Sequence, residues 1–286
     1  MRLCLYWNAN AGGAISLDEI AALIVEAGHT LECVIERPAD LPEVFDVPID
    51  CVLAAGGDGT VARAGRALAG SNIALAILPL GTANNIASSL GICGSPEETI
   101  AAWQHQRNVR IDVGVIHHDG ETRFLESVGA GLVVAGIRAG QATLSKDNDP
   151  DWNVARARQL YVDAIQQIQP KHYDITVDGT SIAGEYLLVE VLNMPSVGPG
   201  VRLSAEVNAA DGLLSVVVAT EAERDALATY LKAMHDDEPT NAGLKSWRAS
   251  HVELKGLEEF HVDDEVRAAQ RAVTIGIKPA SLAVIA

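Results

Sequence analysis

The chain has 286 residues, of which 48% are hydrophobic and 21% charged, with a formal net charge of −17. That length can bury enough core for two domains. The charge argues against nucleic acid as a partner, and no cluster of Lys and Arg suits electrostatic docking to anionic lipid. Aromatic residues make up only 4%, so the core must be mostly Val, Ile, Leu and Ala.

Taken in order, RLCLYW (2–7) reads as a short buried strand before the polar turn NANAGG (8–13). The opening MRLCLYWNA runs straight into that turn, so a secretory leader is not expected. SLDEIAALIVEAG (16–28) has helical spacing, with Ser16 and Glu19 as a capping box and Gly28 as a C-terminal cap. TLECVIE (30–36) is a second strand and CVLAAG (51–56) a third. GTVARAGRALAG (59–70) is a helix, ALAILPLG (74–81) a fourth strand, and ANNIASSLGI (83–92) opens a third helix. This alternation implies a parallel sheet covered by helices.

Near residue 110 the pattern changes. VRIDVGVIHH, ETRFLESVGAG, HYDITVDG, AGEYLLVEVLNM, LLSVVVAT, HVELKGLEEFHV and AVTIGI all read as strands. The Asp-Gly of VDGTS (177–181) is a hairpin signal. Two helical segments interrupt them, at about 151–168 and 221–235. QATLSKDNDPDWN (141–153) reads as a flexible stretch. The expected fold class is an α/β nucleotide-binding domain with a parallel sheet over 1–112, then a mainly antiparallel β-sandwich domain over 113–286. The last strand is free to return to the first domain. A cleft between two such domains is a common place for a ligand.

Cys4, Cys33, Cys51 and Cys93 form no CxxC pair and are expected as free thiols, mostly buried, in a reducing compartment. No apolar run approaches the roughly 18 residues of a membrane span. The expected location is therefore cytoplasmic. The eight histidines form no ligand set; His117 and His118 are adjacent and would point to opposite faces of a strand.

The chemistry lies in glycine turns. GGDGT (56–60) sits where a strand ends and a helix begins, the place where open parallel sheets bind ligands. Its glycines let backbone approach a phosphate, and the helix N-terminus favours an anion. Asp58 would repel that phosphate unless a Mg²⁺ ion stood between them, held directly or through water; it also suits an ordinary Asp-Gly turn. The Walker A and GxGxxG templates both fail, because GK[ST] and the dinucleotide spacing are missing. At the next strand end, LPLGTANNIASSLGI (78–92) repeats a Gly-Thr turn. Two such turns on adjacent strands point to one shared anion site.

GGDGT, then PLGTANN, then the late DGLL, in that order and spacing, resemble the catalytic domain of diacylglycerol kinases, shared by bacterial lipid kinases and by sphingosine and ceramide kinases. Asn8 and Gly12 in NANAGG, Asp112 in IDVG (111–114), FLESVGAG (124–131), NMPSVGPGVRLSAEVNAADGLLSVVV (193–218) and FHVDDEV (260–266) extend the likeness along nearly the whole chain. The resemblance implies transfer of the γ-phosphoryl of ATP, with Mg²⁺, to a hydroxyl of diacylglycerol or a related lipid alcohol. It implies that Gly56, Gly57, Asp58, Gly59, Thr60, Val61 and Ala62 wrap the ATP phosphates, together with Asn8, Gly81, Thr82 and Asn84. Asp58 would join the acidic network around the catalytic magnesium. Glu265 would be the general base and Asp263 its partner, two carboxylates on the same side of a strand. Asp211, with Asn208 and Leu213, would hold a structural Mg²⁺. The partners implied are ATP and a lipid met transiently at a membrane surface, with no nucleic acid and with a homodimer left open.

The sequence departs from the family pattern in places. Asn85 stands where an Asp is usual, and Asp264 replaces a glycine between the two catalytic acids, where it would alter the backbone. Two other readings stay open: a homologue that binds nucleotide or lipid without turnover, and an NAD kinase-like enzyme, since NAD kinases share GGDGT.

Overall fold

The computed structural model describes residues 1–8, 15–103, 108–147, 154–234 and 242–286. Gly12 and Trp152 lie outside the described residues, as does the 148–153 part of the stretch expected to be flexible. The chain divides into two units, Met1–Val113 with Pro279–Ala286, and Gly114–Lys278.

In the first unit β1 (Arg2–Trp7), β2 (Thr30–Ile35), β3 (Cys51–Gly56) and β4 (Ala74–Pro79) run parallel in the order β4-β3-β1-β2. Every residue of β3 is buried, as expected of a central parallel strand covered on both faces, which reads as an unbroken apolar run. The helices are α1 (Leu17–Glu26), α2 (Asp58–Leu68), α3 (Asn85–Ser89) and α4 (Pro96–Ala102). The predicted capping box opens α1: Ser16 N–H donates to Glu19 Oε2 at 2.7 Å and Glu19 N–H to Ser16 Oγ at 3.2 Å. Ser95 and Glu98 make the same box at α4, a helix not anticipated although SPEE carries its signal. Ile20 and Ile24 of α1 pack with Leu3, Leu5, Leu53 and Ala76.

Cys4 and Cys33 are register partners on β1 and β2, with Cα atoms 4.6 Å apart, and form a disulfide. This corrects the expectation of four free thiols. Cys51 remains free and buried, and Cys93 free and exposed. Only strand register brings the bonded pair together; nothing in the sequence spacing marks it.

The second unit begins within β5 (Asn108–His117), which pairs antiparallel with β6 (Glu121–Phe124). Then come β7 (Ser127–Gly131), α5 (Leu132–Asp147), α6 (Val154–Gln167), β8 (Lys171–Val177), β9 (Thr180–Ser181), β10 (Gly184–Tyr186), β11 (Leu188–Leu192), β12 (Ser196–Val197), β13 (Val201–Arg202) and β14 (Leu214–Ala219). The chain continues through α7 (Arg224–Ala233), β15 (Lys245–Ala249), β16 (His251–Lys255), β17 (Glu259–Val262), β18 (Glu265–Ala268) and β19 (Val273–Ile285). A six-stranded antiparallel sheet has the order β15-β14-β11-β7-β17-β18. β10, β8, β16 and the start of β19 form a second antiparallel layer. Val128, Val189, Val191 and Val216 of the first layer pack with Ile175, Leu254 and Ile275 of the second. The opposite face of the six-stranded sheet, with Leu188, Leu192 and Val217, is covered by Tyr161, Ile165 and Leu227 of α6 and α7.

The hairpin expected at VDGTS is present: Asp178 (φ 44°) and Gly179 (φ 83°) join Val177 to its partner Thr180. Three expectations are corrected. First, α5 extends from Leu132 to Asp147, so residues 141–147 are helical. Second, the runs 121–131, 183–194 and 251–262 each break into two strands, and the two halves pair in different places. Third, the last strand is longer than AVTIGI: β19 continues past residue 277 to Ile285, and its end makes the return to the first unit that the sequence left open, pairing Val284 with Leu75 of β4. There Asp112, only 1% exposed, accepts from the N–H of Ala280 at 2.7 Å.

Candidate functional site

Two clusters, one in each unit, carry most of the predicted residues. In the first, β3 and β4 end side by side, with Gly56 paired to Pro79. The turns that follow are in contact. A Cβ on Gly57 would lie 3.2 Å from Gly81 Cα, and one on Gly81 would lie 2.9 Å from Asn84 Oδ1 and 3.2 Å from Gly57 N. Gly81 has no room for a side chain and Gly57 has little, so the two turns present bare backbone. Asn84 adopts φ 51°, a left-handed conformation that Asn tolerates better than most residues. Its side chain fixes the turn by accepting from Gly81 N–H at 2.9 Å and donating to Gly81 O at 2.9 Å.

The Asp58 carboxylate is engaged by the start of α3. Its Oδ1 accepts from Ile86 N–H at 2.9 Å, and the N–H groups of Asn85 and Asn84 also bond it. The acid in GGDGT therefore ties the first turn to the start of α3, beyond the second turn. Burial pushes its pKa above the ordinary aspartate value, against the pull of those N–H donors. A carboxylate used this way is poorly placed to take a metal ion directly. Among the described residues no group of three His, Cys, Asp or Glu could hold one.

Around these turns, Asn8 Nδ2 donates to Thr60 Oγ1 at 3.2 Å, which links β1 to α2. Thr60, Val61 and Ala62 are buried, so Val61 and Ala62 could offer a ligand only backbone. No side chain caps α2 behind Gly57, and Thr82 is exposed. Asn85, in the place of the usual acid, is 3% exposed.

The second cluster is an acidic turn. Val262 of β17 pairs with Glu265 of β18, so Asp263 and Asp264 form a two-residue hairpin. This corrects the expectation that Asp263 and Glu265 share one side of a strand. Asp263 is 5% exposed with φ 51°, while Asp264 is not left-handed. The backbone adjustment expected at Asp264 thus falls on Asp263. Four bonds hold Asp263 in that conformation. Its N–H donates to Ser127 O at 2.9 Å. Its carboxylate accepts from Leu125 N–H at 3.2 Å and Glu126 N–H at 2.8 Å. Its carbonyl lies 2.9 Å from His261 Nδ1. Glu265 is more open and takes Arg267 Nη2 at 3.0 Å.

His261 and Glu190 were not anticipated. Both pair with Gly129, which lies between them on β7. With no side chain at Gly129, His261 Nε2 reaches across to the Glu190 oxygens at 2.9 and 3.0 Å. A carbonyl only accepts, so the Nδ1 facing Asp263 O carries hydrogen. Burial alone favours a neutral ring, but the charge and hydrogen bond of Glu190, with the Asp263 carbonyl, outweigh it and raise the pKa of His261. The sequence held one signal: an acid in the middle of the apolar run LLVEVL needs a buried partner.

Asp211 is also engaged. Its Oδ1 accepts from Leu213 N–H at 3.0 Å, and its Oδ2 meets the Arg248 guanidinium. Asn208 Oδ1 accepts from Ala210 N–H at 3.0 Å. The structural Mg²⁺ expected at Asp211, Asn208 and Leu213 does not fit this arrangement, because a cationic side chain already occupies the carboxylate.

Residues 2–116 match the family model of the diacylglycerol kinase catalytic domain, and residues 131–286 that of the YegS C-terminal NAD kinase beta sandwich-like domain. A protein named diacylglycerol kinase from Mycobacterium tuberculosis is 27% identical over 253 residues, covering 82% of this chain and 76% of its own. One named "Probable lipid kinase YegS" from Escherichia coli is 27% identical over 290 residues, covering 97% and 93%. A crystal structure described as a diacylglycerol kinase from Bacillus anthracis aligns with a TM-score of 0.76 over 99% of this chain and 96% of its own. At 21% identity that likeness is one of fold.

Proposed function

This chain belongs to the family of the YegS C-terminal NAD kinase beta sandwich-like domain, preceded by a stretch that matches the diacylglycerol kinase catalytic domain, and from that premise we propose that it transfers the γ-phosphoryl group of ATP to a hydroxyl of diacylglycerol or a related lipid alcohol. The observation that carries the reading is the bare-backbone contact of Gly57 with Gly81, fastened by Asp58 to α3. It supplies close-approach backbone and a helix N-terminus without a side-chain cap, which suit phosphates. Phosphoryl transfer asks a protein mainly to position the reactants and to neutralise charge.

In this reading Gly56, Gly57, Gly59 and Gly81 lie against the phosphates, with the Thr82 hydroxyl beside them. Asn8 steadies Thr60, and Asn84 keeps Gly81 in place. Glu265 accepts the proton of the lipid hydroxyl, oriented by Arg267. Asp263 acts by locking the hairpin that presents Glu265. Magnesium carried on ATP would neutralise charge on the phosphoryl oxygens when bound, and it needs few protein ligands. No helix among the described residues is long and apolar enough to cross a membrane.

The test is γ-labelled ATP with Mg²⁺ over a panel of lipid micelles, with NAD as an additional acceptor and Glu265→Gln in parallel. Label in one lipid, lost in the variant, is the expected result. Label in NAD alone would move the assignment to an NAD kinase-like enzyme. ATP binding with no label anywhere would make the chain a nucleotide-binding homologue without turnover.

A further inference from the structure

The Arg248 side chain gathers the oxygens of one turn. It leaves β15 opposite Ser215 of β14. Its Nη2 bonds Asp211 Oδ2 and reaches Leu213 O at 3.4 Å. Its Nη1 donates to Glu206 O at 2.9 Å and Ser215 Oγ at 2.9 Å. Four acceptors from residues 206–215 thus converge on a single guanidinium: a carboxylate, two carbonyls and a hydroxyl. A hard divalent cation would seek the same kind of set, oxygen ligands that include a carboxylate and backbone carbonyls. The guanidinium is planar, permanently charged and carries its donors in a fixed fork. The Arg248 and Asp211 side chains are 26% and 33% exposed, so the pair is partly shielded from water.

We propose that Arg248 is the resident cation of the Asp211 turn, and that this chain holds the turn by a covalently attached charge instead of a bound metal ion. A metal ion and the guanidinium would compete for Asp211 and Leu213 and repel each other, so a metal enters only if Arg248 leaves. Asp211 Oδ1 stays with Leu213 N–H in either case, which keeps the turn formed while Arg248 closes it. The inference rests on the second unit alone and does not depend on the phosphotransfer reading.

The test needs neither ATP nor lipid. The full chain is melted in EDTA and in millimolar MgCl₂ or CaCl₂, and the same metals are titrated calorimetrically into wild type, Arg248→Ala, Arg248→Lys and Asp211→Asn. The wild-type melting temperature should be the same with chelator and with metal. Arg248→Ala should melt lower than wild type, recover when metal is added, and bind it about tenfold more tightly or better. Arg248→Lys keeps the charge without the fork, and should fall between the two; it carries the comparison if the alanine variant does not fold. Wild type that loses stability in EDTA, or that binds metal in a manner abolished by Asp211→Asn, would overturn the proposal. So would an Arg248→Ala protein as stable as wild type and indifferent to metal.

Discussion

Replacing Gly81 by alanine isolates the contact on which the phosphate-site reading depends. Gly81 is not in the left-handed region, so the substitution adds no dihedral strain and its effect is steric. The new methyl would lie 2.9 Å from Asn84 Oδ1 and 3.2 Å from Gly57 N, and closer still to Gly57 Cα. Two of these neighbours are backbone and cannot rotate aside. Overpacking of this kind costs about 1–3 kcal/mol. Displacing Asn84 also endangers its two bonds to Gly81, each worth about 1 kcal/mol. A total near 2–3 kcal/mol should lower the melting temperature by about 3–5 °C in a chain of this size. Gly70→Ala is the control: φ is 84° there and no atom lies within 4 Å of the added Cβ, so it reports dihedral strain alone, about 1–2 kcal/mol. ATP affinity is measured on both variants by calorimetry. Gly81→Ala should lose nucleotide affinity and Gly70→Ala should keep it. A Gly81→Ala protein with wild-type melting and wild-type ATP affinity would refute the argument that the two turns must touch.

Asp58→Asn keeps an oxygen for Ile86 N–H and should stay folded with the two turns still tied; Asp58→Ala loses the acceptor and should lose about 1–3 kcal/mol in denaturant melts, and ATP affinity with it. Because burial raises the pKa of Asp58, its contribution to stability is present at acid pH and lost as pH rises through the folded value, and Asp58→Asn should flatten that part of the stability profile. His261 has a raised folded pKa, so its pairing with Glu190 stabilises fully below the ordinary imidazole value and fades as pH rises through the folded one. Glu190→Gln should therefore be destabilised by roughly 3 kcal/mol on the acid side, with the deficit closing toward alkaline pH in melts across a pH series. Unfolded, unreduced protein should show only the thiols of Cys51 and Cys93 by thiol titration, and reduction should cost about 3–4 kcal/mol by loop entropy for the 29-residue separation.

The first unit was legible because parallel strands buried on both faces appear as solid apolar runs, and Ser16 with Glu19 marks a helix start without reference to the rest of the chain. The second unit was harder to read. Residues 132–140 carry Val133, Val134, Gly136 and Gly140, poor helix formers, yet they lie in α5. Gly136 is small where the Tyr161 ring packs against it, and burial of Leu132 and Val133 on the sheet overrides propensity. The break at Leu187 between β10 and β11 leaves no trace, since apolar residues continue through it. Asp263 was assigned by strand alternation, which fails inside a turn; the adjacent acids Asp263 and Asp264 between two alternating runs were the available turn signal. The pairs Asp211–Arg248, Glu190–His261 and Cys4–Cys33 join residues 37, 71 and 29 positions apart, and such pairings follow from register, which no local pattern encodes.

The path of β19 bears on the order of synthesis. Pro279–Ala286 belongs to the first unit, yet it is translated after all of Gly114–Lys278. While the ribosome makes the second unit, β4 waits without Val284 beside Leu75, and Asp112 waits for the Ala280 N–H. An unpaired strand edge invites wrong pairing. A fragment stopping at residue 113 would keep that open edge permanently, so the first unit is best expressed with residues 279–286 supplied, either through the intact chain or by a linker that rejoins them.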